Sequence, residues 1–314
     1  MKTSRSKTNY LALAAKGALM GAADAVPGVS GGTIAFITGI YEELIFSLKQ
    51  CSVSAVKVLF ENGLKAAWQH INGGFLAVLF GGVILSILTL SRVVLYLMAY
   101  HPILLWSFFF GLILAAVWSV IRHVEHWNLG VISMLLFGAL SAFLITVISP
   151  TQIESTPLIV FLSGMIAICA MILPGISGSF ILLLLGMYAP MLNAVKDFQI
   201  VTIGIFASGC VIGLLSFSHV LSWMFKHYKT MTLALLGGFM LGSLNKVWPW
   251  KQTIEVVVNR HGEEIPLVQE NILPNTFEIL TTQPSQLGYA IVLMLLGIVL
   301  VMGLEKIGQK NVSS

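Results

Sequence analysis

The sequence predicts an all-α polytopic membrane protein, organised as an inverted-topology repeat in which each half is a re-entrant helical hairpin plus three transmembrane helices. Three observations predict it. The 314-residue chain is 57% hydrophobic and 10% charged, with a mean hydropathy of +0.92, far from a soluble globular composition. Two stretches, 10–48 and 158–192, are long and apolar enough to span a bilayer, yet each is broken in the middle by PGxSG. "AADAVPGVSGG" (22–32) returns as "AMILPGISGS" (170–179), 147 residues later. Beyond the breaks, "GGVILSILTLSRVVLYL" (81–97) aligns without gaps on "SGCVIGLLSFSHVLSWM" (208–224), pairing Gly82 with Gly209 and Ser91 with Ser218. At the same offset Gly111 meets Gly238.

A membrane span needs about 20 apolar residues, and the elements follow in order within a single membrane domain, 1–314. The N-terminus is basic and then apolar, like a signal peptide. Its apolar run leads straight into Asp24–Pro27 without a small-residue cleavage site, so it is read as retained. The first repeat, 10–148, begins with hairpin 10–48. Segment 51–72 follows, with Lys57, Glu61 and Lys65 on one face and Val56, Leu59, Phe60, Leu64 and Trp68 largely opposite, the pattern of an interfacial amphipathic helix. Spans 74–98, 103–121 and 130–148 complete this half. The second repeat, 158–305, consists of hairpin 158–192 and spans 200–225, 230–247 and 286–304, with polar segment 249–285 as an outer loop. Cys51, Cys169 and Cys210 form neither a disulfide framework nor a metal-ligand cluster and are read as packing residues.

Orientation follows from Lys and Arg. With a cytoplasmic N-terminus and both broken stretches re-entrant, cytoplasmic segments hold eleven basic residues, and outer segments hold only Lys196, Lys246, Lys251 and Arg260. This positive-inside bias degrades if either hairpin is a full crossing. It also puts both termini in the cytoplasm. Three spans between the hairpins bring the second in from the opposite face, a hallmark of secondary transporters that bind substrate at the midplane between broken helices.

The breaks have their own chemistry. Proline lacks a backbone N–H, glycine tolerates unusual dihedrals, and irregular backbone at membrane depth survives only inside protein or beside a watery cavity. The second arms start near Gly31–Thr33 and Gly178–Phe180, where N–H groups lack intrahelical partners and the helix dipole is positive. With the hydroxyls of Ser30, Thr33, Ser177 and Ser179, two such ends meeting at the midplane suit an anion, phosphate above all. One such kink alone is more simply a packing device; two in symmetric positions favour a site.

The ionisable residues near these breaks each admit two readings. Arg92 is the preferred cation for phosphate, or it snorkels to the interface. His219, its repeat partner, titrates near neutrality or simply packs. Lys16 snorkels to the cytoplasm. Asp24 is costly in hydrocarbon unless paired or protonated. It pairs with Arg92 or Lys16, serves a coupling H+ or Na+, or bonds the N–H groups of its own turn. Glu42 and Glu43 lie roughly 15 Å past the turn, with a role or merely solvated. The GxxxG of "GFMLG" (238–242) marks close packing or a homodimer. No catalytic residue, metal, cofactor or nucleic-acid partner is expected.

At these residues the chain resembles the PopT-type undecaprenyl-phosphate translocases, over about residues 10–305. "AADAVPGVSGGTIAFITGIYEEL" carries most of the resemblance, and "LPGISGSFILLLLGMY" supports it at the matching place. The resemblance implies a flippase of the bacterial cytoplasmic membrane that returns undecaprenyl phosphate from the outer to the inner leaflet for reuse in cell-wall synthesis. The motif residues carried over are Asp24, Pro27, Gly28, Ser30, Gly31, Gly32, Thr33 and Glu42–Glu43, then Pro174, Gly175, Ser177, Gly178 and Ser179. Such a substrate fits the chemistry above: its tail stays in lipid, while a charged head, with an idealised transfer cost of order 20 kcal/mol, needs a shielded path. Two alternatives stand beside this expectation. A channel or carrier for a small anion or solute also uses opposed hairpins, and an intramembrane lipid phosphatase calls for a His–Arg grouping that membrane-depth residues do not offer.

Overall fold

Each PGxSG stretch folds as a helix that stops, turns and restarts, and the rest of the fold is packed around the two breaks. The computed structural model describes residues 7–26, 29–148, 153–258 and 264–310. The chain opens with α1 (Lys7–Asp24), α2 (Gly31–Ile37) and α3 (Tyr41–Gln50). Then come α4 (Val53–His70), α5 (Gly73–Thr89), α6 (Ser91–Tyr100), α7 (Pro102–Ile121) and α8 (Leu129–Val147). The second broken stretch gives α9 (Pro157–Ile172), α10 (Gly178–Leu184) and α11 (Tyr188–Lys196). They are followed by α12 (Ile200–His227) and α13 (Lys229–Ser243). Strands β1 (Lys251–Val258) and β2 (Glu264–Asn271), then α14 (Pro274–Thr281) and α15 (Leu287–Lys310), complete the chain.

Among the described residues, α7, α8 and α12 are long and apolar enough to cross a membrane alone. The pairs α4–α5 and α10–α11 qualify together, bent by 52° and 107°. The protein is thus a mostly helical membrane protein, with several departures from the expected elements. Span 74–98 is two helices that meet at Leu90; there the Thr89 hydroxyl donates to the Leu85 carbonyl within the last turn of α5, the back-bonding that disturbs helices. Span 230–247 ends as a helix at Ser243. Helix α4 is kinked at Gly63, whose φ of +78° and ψ of 176° are non-helical. Its apolar residues Val53, Val56, Leu59, Phe60, Leu64 and Trp68 are nonetheless all exposed, as an interfacial helix requires.

The expected outer loop is not shapeless. Strands β1 and β2 pair antiparallel, from Lys251 opposite Asn271 to Val258 opposite Glu264. The all-α expectation therefore fails in this segment. "TIEVVV" and "IPLV" are runs of β-branched and apolar residues separated by polar sequence, a hairpin signal. The base of the hairpin is fastened by indole donors, Trp248 to the Ile272 carbonyl and Trp250 to the Ser285 carbonyl, both at 2.9 Å. Trp250 packs there with Ile103, Phe277 and Ala290.

Four helix pairs make the most extensive contacts: α1 with α5, α9 with α12, α7 with α15, and α8 with α13. Glycine sets the close approach in each. Gly17 and Gly82 join α1 to α5 at Leu79 and Ala14, and Gly164 and Gly209 join α9 to α12 at Phe206 and Phe161. Likewise Gly111 and Gly297 join α7 to α15, and Gly138 and Gly238 join α8 to α13. Gly238 and Gly242 thus spend the GxxxG face on Leu135 and Ala139 of α8. The second arms repeat as well. Gly39 and Gly186, with φ of +71° and +68°, supply the left-handed residue that ends α2 and α10. The bonds Ile40 N–H to Ala35 O and Met187 N–H to Leu182 O close the same turn in both.

Candidate functional site

The two breaks touch. Ser30, fully buried, donates its hydroxyl to the carbonyls of Met171 (3.3 Å) and Leu173 (3.1 Å) at the end of α9. In return the Gly175 N–H donates to the Thr33 hydroxyl at 2.9 Å. The buried Tyr41 hydroxyl reaches the Ile172 carbonyl at 3.1 Å. Three consecutive carbonyls at the end of α9, Met171 to Leu173, thus accept from the first hairpin, and that of Leu173 also accepts from the Ile176 N–H. Gly32 is required at this contact: a Cβ there would stand 2.6 Å from the Ile172 oxygen.

The first tip has spent its donors. Gly31 N–H donates to Asp24 Oδ1 at 2.7 Å, Gly32 N–H to the Ser30 hydroxyl at 3.1 Å, and Thr33 N–H to the Ser30 carbonyl at 3.0 Å. The Asp24 carboxylate lies over Gly31, where a Cβ would strike it. The geometry is the one in which Asp24 bonds its own turn. An anion stands in this anion-attracting place because the chain supplies one.

The second tip is built on the same backbone and left open. Ser177 is its N-cap by position but makes no side-chain cap bond; its hydroxyl pairs with that of Ser179 at 2.8 Å. The N–H groups of Gly178, Ser179 and Phe180 donate to no described residue. Position 171, the counterpart of Asp24, is Met, and its side chain lies over Gly178, with Cγ 2.8 Å from where a Cβ would stand. Gly175, Ser177, Phe180 and Lys246 line one small cavity together with Thr146. Pro174 is buried beside it.

The other predicted residues are distributed more widely. Pro27 and Gly28 lie outside the described residues. Arg92 is exposed on α6, which packs on α5 and α7, and it makes no ion pair or hydrogen bond with a described residue. His219 is exposed on α12, with Nδ1 2.7 Å from the Leu215 carbonyl of its own helix. Glu42 pairs with Lys229 at 2.8 Å, and Glu43 accepts from the Asn72 amide at 2.9 Å. Lys16 does not snorkel: its ammonium donates to the Thr38 carbonyl at 2.7 Å, where a cation at the end of α2 is favoured by the helix dipole.

Sequence reasoning counted Lys246 and Lys251 only as outer charges. Both turn inward. Lys246 Nζ lies 4.2 Å from the centroid of the Phe180 ring at the second tip. Lys251 Nζ lies 4.4 Å over Trp106 and donates to the Lys246 carbonyl. Burial, and then the Lys246 cation, push the Lys251 ammonium down to about 7. The available signal was the placement of Lys246 just beyond a span and of Lys251 beside "WPW", a cation among aromatics.

A family model described as undecaprenyl phosphate translocase-like matches residues 20–265. A polyprenyl-phosphate transporter of Vibrio cholerae is 56% identical over 302 residues, covering 96% of this chain and 98% of that protein. A polyprenyl-phosphate transporter of Staphylococcus aureus is 32% identical over 255 residues, covering 74% of this chain and 84% of that protein. No solved structure matches.

Proposed function

The chain belongs to the undecaprenyl phosphate translocase-like family, a family of transporters rather than enzymes, and on that premise we propose that it flips undecaprenyl phosphate from the outer to the inner leaflet of a bacterial cytoplasmic membrane. The carrying observation is the polar contact between the tips, Ser30 with the Met171 and Leu173 carbonyls and Gly175 with Thr33. Hydrogen bonds of about 1 kcal/mol each join the two breaks within a core that both halves share, a polar contact weak enough to be exchanged for a ligand. The repeated glycine contacts of the two halves support an inverted-topology repeat, in which alternating access exchanges the roles of the hairpins.

In this reading the phosphate is held by the hydroxyls and N–H groups of Ser177, Gly178 and Ser179 and then passes to Ser30, Gly31, Gly32 and Thr33. Asp24 occupies the first tip until a proton or Na+ neutralises it, freeing the Gly31 N–H for the lipid phosphate and coupling transport to that ion. Arg92, exposed on α6, meets the headgroup at the rim. The Glu42–Lys229 pair and the Lys49–Ser222 contact gather residues assigned to the cytoplasmic face, in keeping with cytoplasmic termini.

Reconstitution of the full chain in liposomes tests the proposal. Protein-dependent movement of a labelled polyprenyl phosphate between leaflets is expected, with no phosphate release and no single-channel current. Absence of that movement overturns the proposal. Release of inorganic phosphate would favour a phosphatase, and large currents a channel.

A further inference from the structure

Lys246 and Lys251 form a cationic pair that the sequence motif does not contain. Lys246 follows α13 and belongs to the wall of the cavity at the second tip, with Thr146, Gly175, Ser177 and Phe180. Its neighbourhood is tied in place by side-chain amides. Asn245 donates to the Thr146 hydroxyl at 2.7 Å, and Asn271, at the end of β2, donates to the Asn245 carbonyl and side-chain oxygen at 2.7 and 2.9 Å. The β-hairpin, the end of α8 and the second tip are therefore joined around the two ammonium groups.

Among the described side chains, no ion pair involves either ammonium. Lys251 is held by a ring face and a carbonyl, and Lys246 is held over a ring face. Buried cations are ordinarily paired, and two side by side repel one another. Burial and the Lys246 charge both disfavour the Lys251 cation, so the cost falls on the pair unless an anion enters between them.

We propose that Lys246 and Lys251, with the Ser177 hydroxyl, form the receiving site for a phosphate monoester headgroup on the β-hairpin side of the second tip. The inference rests on the transport reading and adds the cations that its motif lacks. Phe180 and Trp106 keep the ammonium groups in place when no anion is bound. A headgroup docked on Lys246 lies beside Ser177, one residue from the Gly178 N–H.

Binding of farnesyl phosphate to the purified full chain, compared with farnesol and inorganic phosphate, tests the assignment. Wild type is expected to bind farnesyl phosphate and not farnesol. Lys246→Gln is expected to weaken binding about tenfold or more, the scale of one charge-assisted phosphate contact, while Lys246→Arg keeps it within about threefold. Equal affinity of Lys246→Gln and wild type overturns the site and leaves the transport reading standing. No farnesyl phosphate binding by wild type overturns both. If Lys246→Gln does not fold, amine labelling of wild type decides: farnesyl phosphate must protect Lys246 where farnesol does not, and equal labelling rejects the site.

Discussion

The two hairpins share a backbone and differ in chemistry. Both stop before PGxSG, both restart as a seven-residue helix and both end that helix at a positive-φ glycine. The first carries Lys16, Asp24, Glu42 and Glu43, and the second has Ser163, Met171, Ala189 and Pro190 at the same places. The first is self-capped, its N–H groups answered by Asp24 and Ser30. The second has N–H groups that no described residue accepts, with Lys246 held over Phe180 beside them. The two breaks share a sequence skeleton, and their side chains decide which N–H groups are answered within the protein.

Giving the second tip what the first has should break this contrast most strongly. Met171 lies over Gly178 as Asp24 lies over Gly31, so Met171→Asp should supply an internal anion to the open N–H groups. Transport in liposomes is expected to fall about 10- to 100-fold, the worth of a displaced charge-assisted contact, with the protein still folded by thermal melting. Unchanged transport would mean that the second tip does not meet the phosphate.

Matched serine substitutions separate structure from binding. Ser30→Ala removes a cap and two bonds to α9, and a loss of about 1–3 kcal/mol in unfolding free energy is expected. Ser177→Ala loses only a bond to Ser179; its melting should shift little and its affinity for farnesyl phosphate should fall. Reversed effects would exchange the roles assigned to the two tips.

The smallest effect concerns pH. The folded-state value of Lys251, about 7, lies below the usual value near 10.4 for an unfolded chain. Below about 7 the ammonium is charged in both states, and its burial cost is fully present. Between the two values the unfolded state holds the extra proton, so stability rises with pH. Anion binding runs the other way and should weaken as pH rises through about 7, a dependence that Lys251→Arg is expected to flatten.

Much of this was legible in the sequence. Apolar length marked the spans, and PGxSG marked the breaks through the lost N–H of proline and the freedom of glycine. The 81–97 and 208–224 alignment paired Gly82 with Gly209, and each makes a close helix contact. Val56, Leu59, Phe60, Leu64 and Trp68 of α4 are exposed, and so are Lys57, Glu61 and Lys65. Local pattern and composition are sufficient for such features, because a bilayer forces every backbone group to be satisfied within helices or tight turns. Only tertiary structure decided the rest. Asp24 caps its own turn, Lys16 turns to Thr38 rather than to water, and the β-hairpin ends beside the second tip. Lys246 and Lys251 face inward while Arg92 stays on the surface. A charged side chain in this setting is placed by whichever carbonyl, ring face or N–H the fold brings within reach, from the Lys246 carbonyl five residues from Lys251 to the Trp106 ring 145 residues from it.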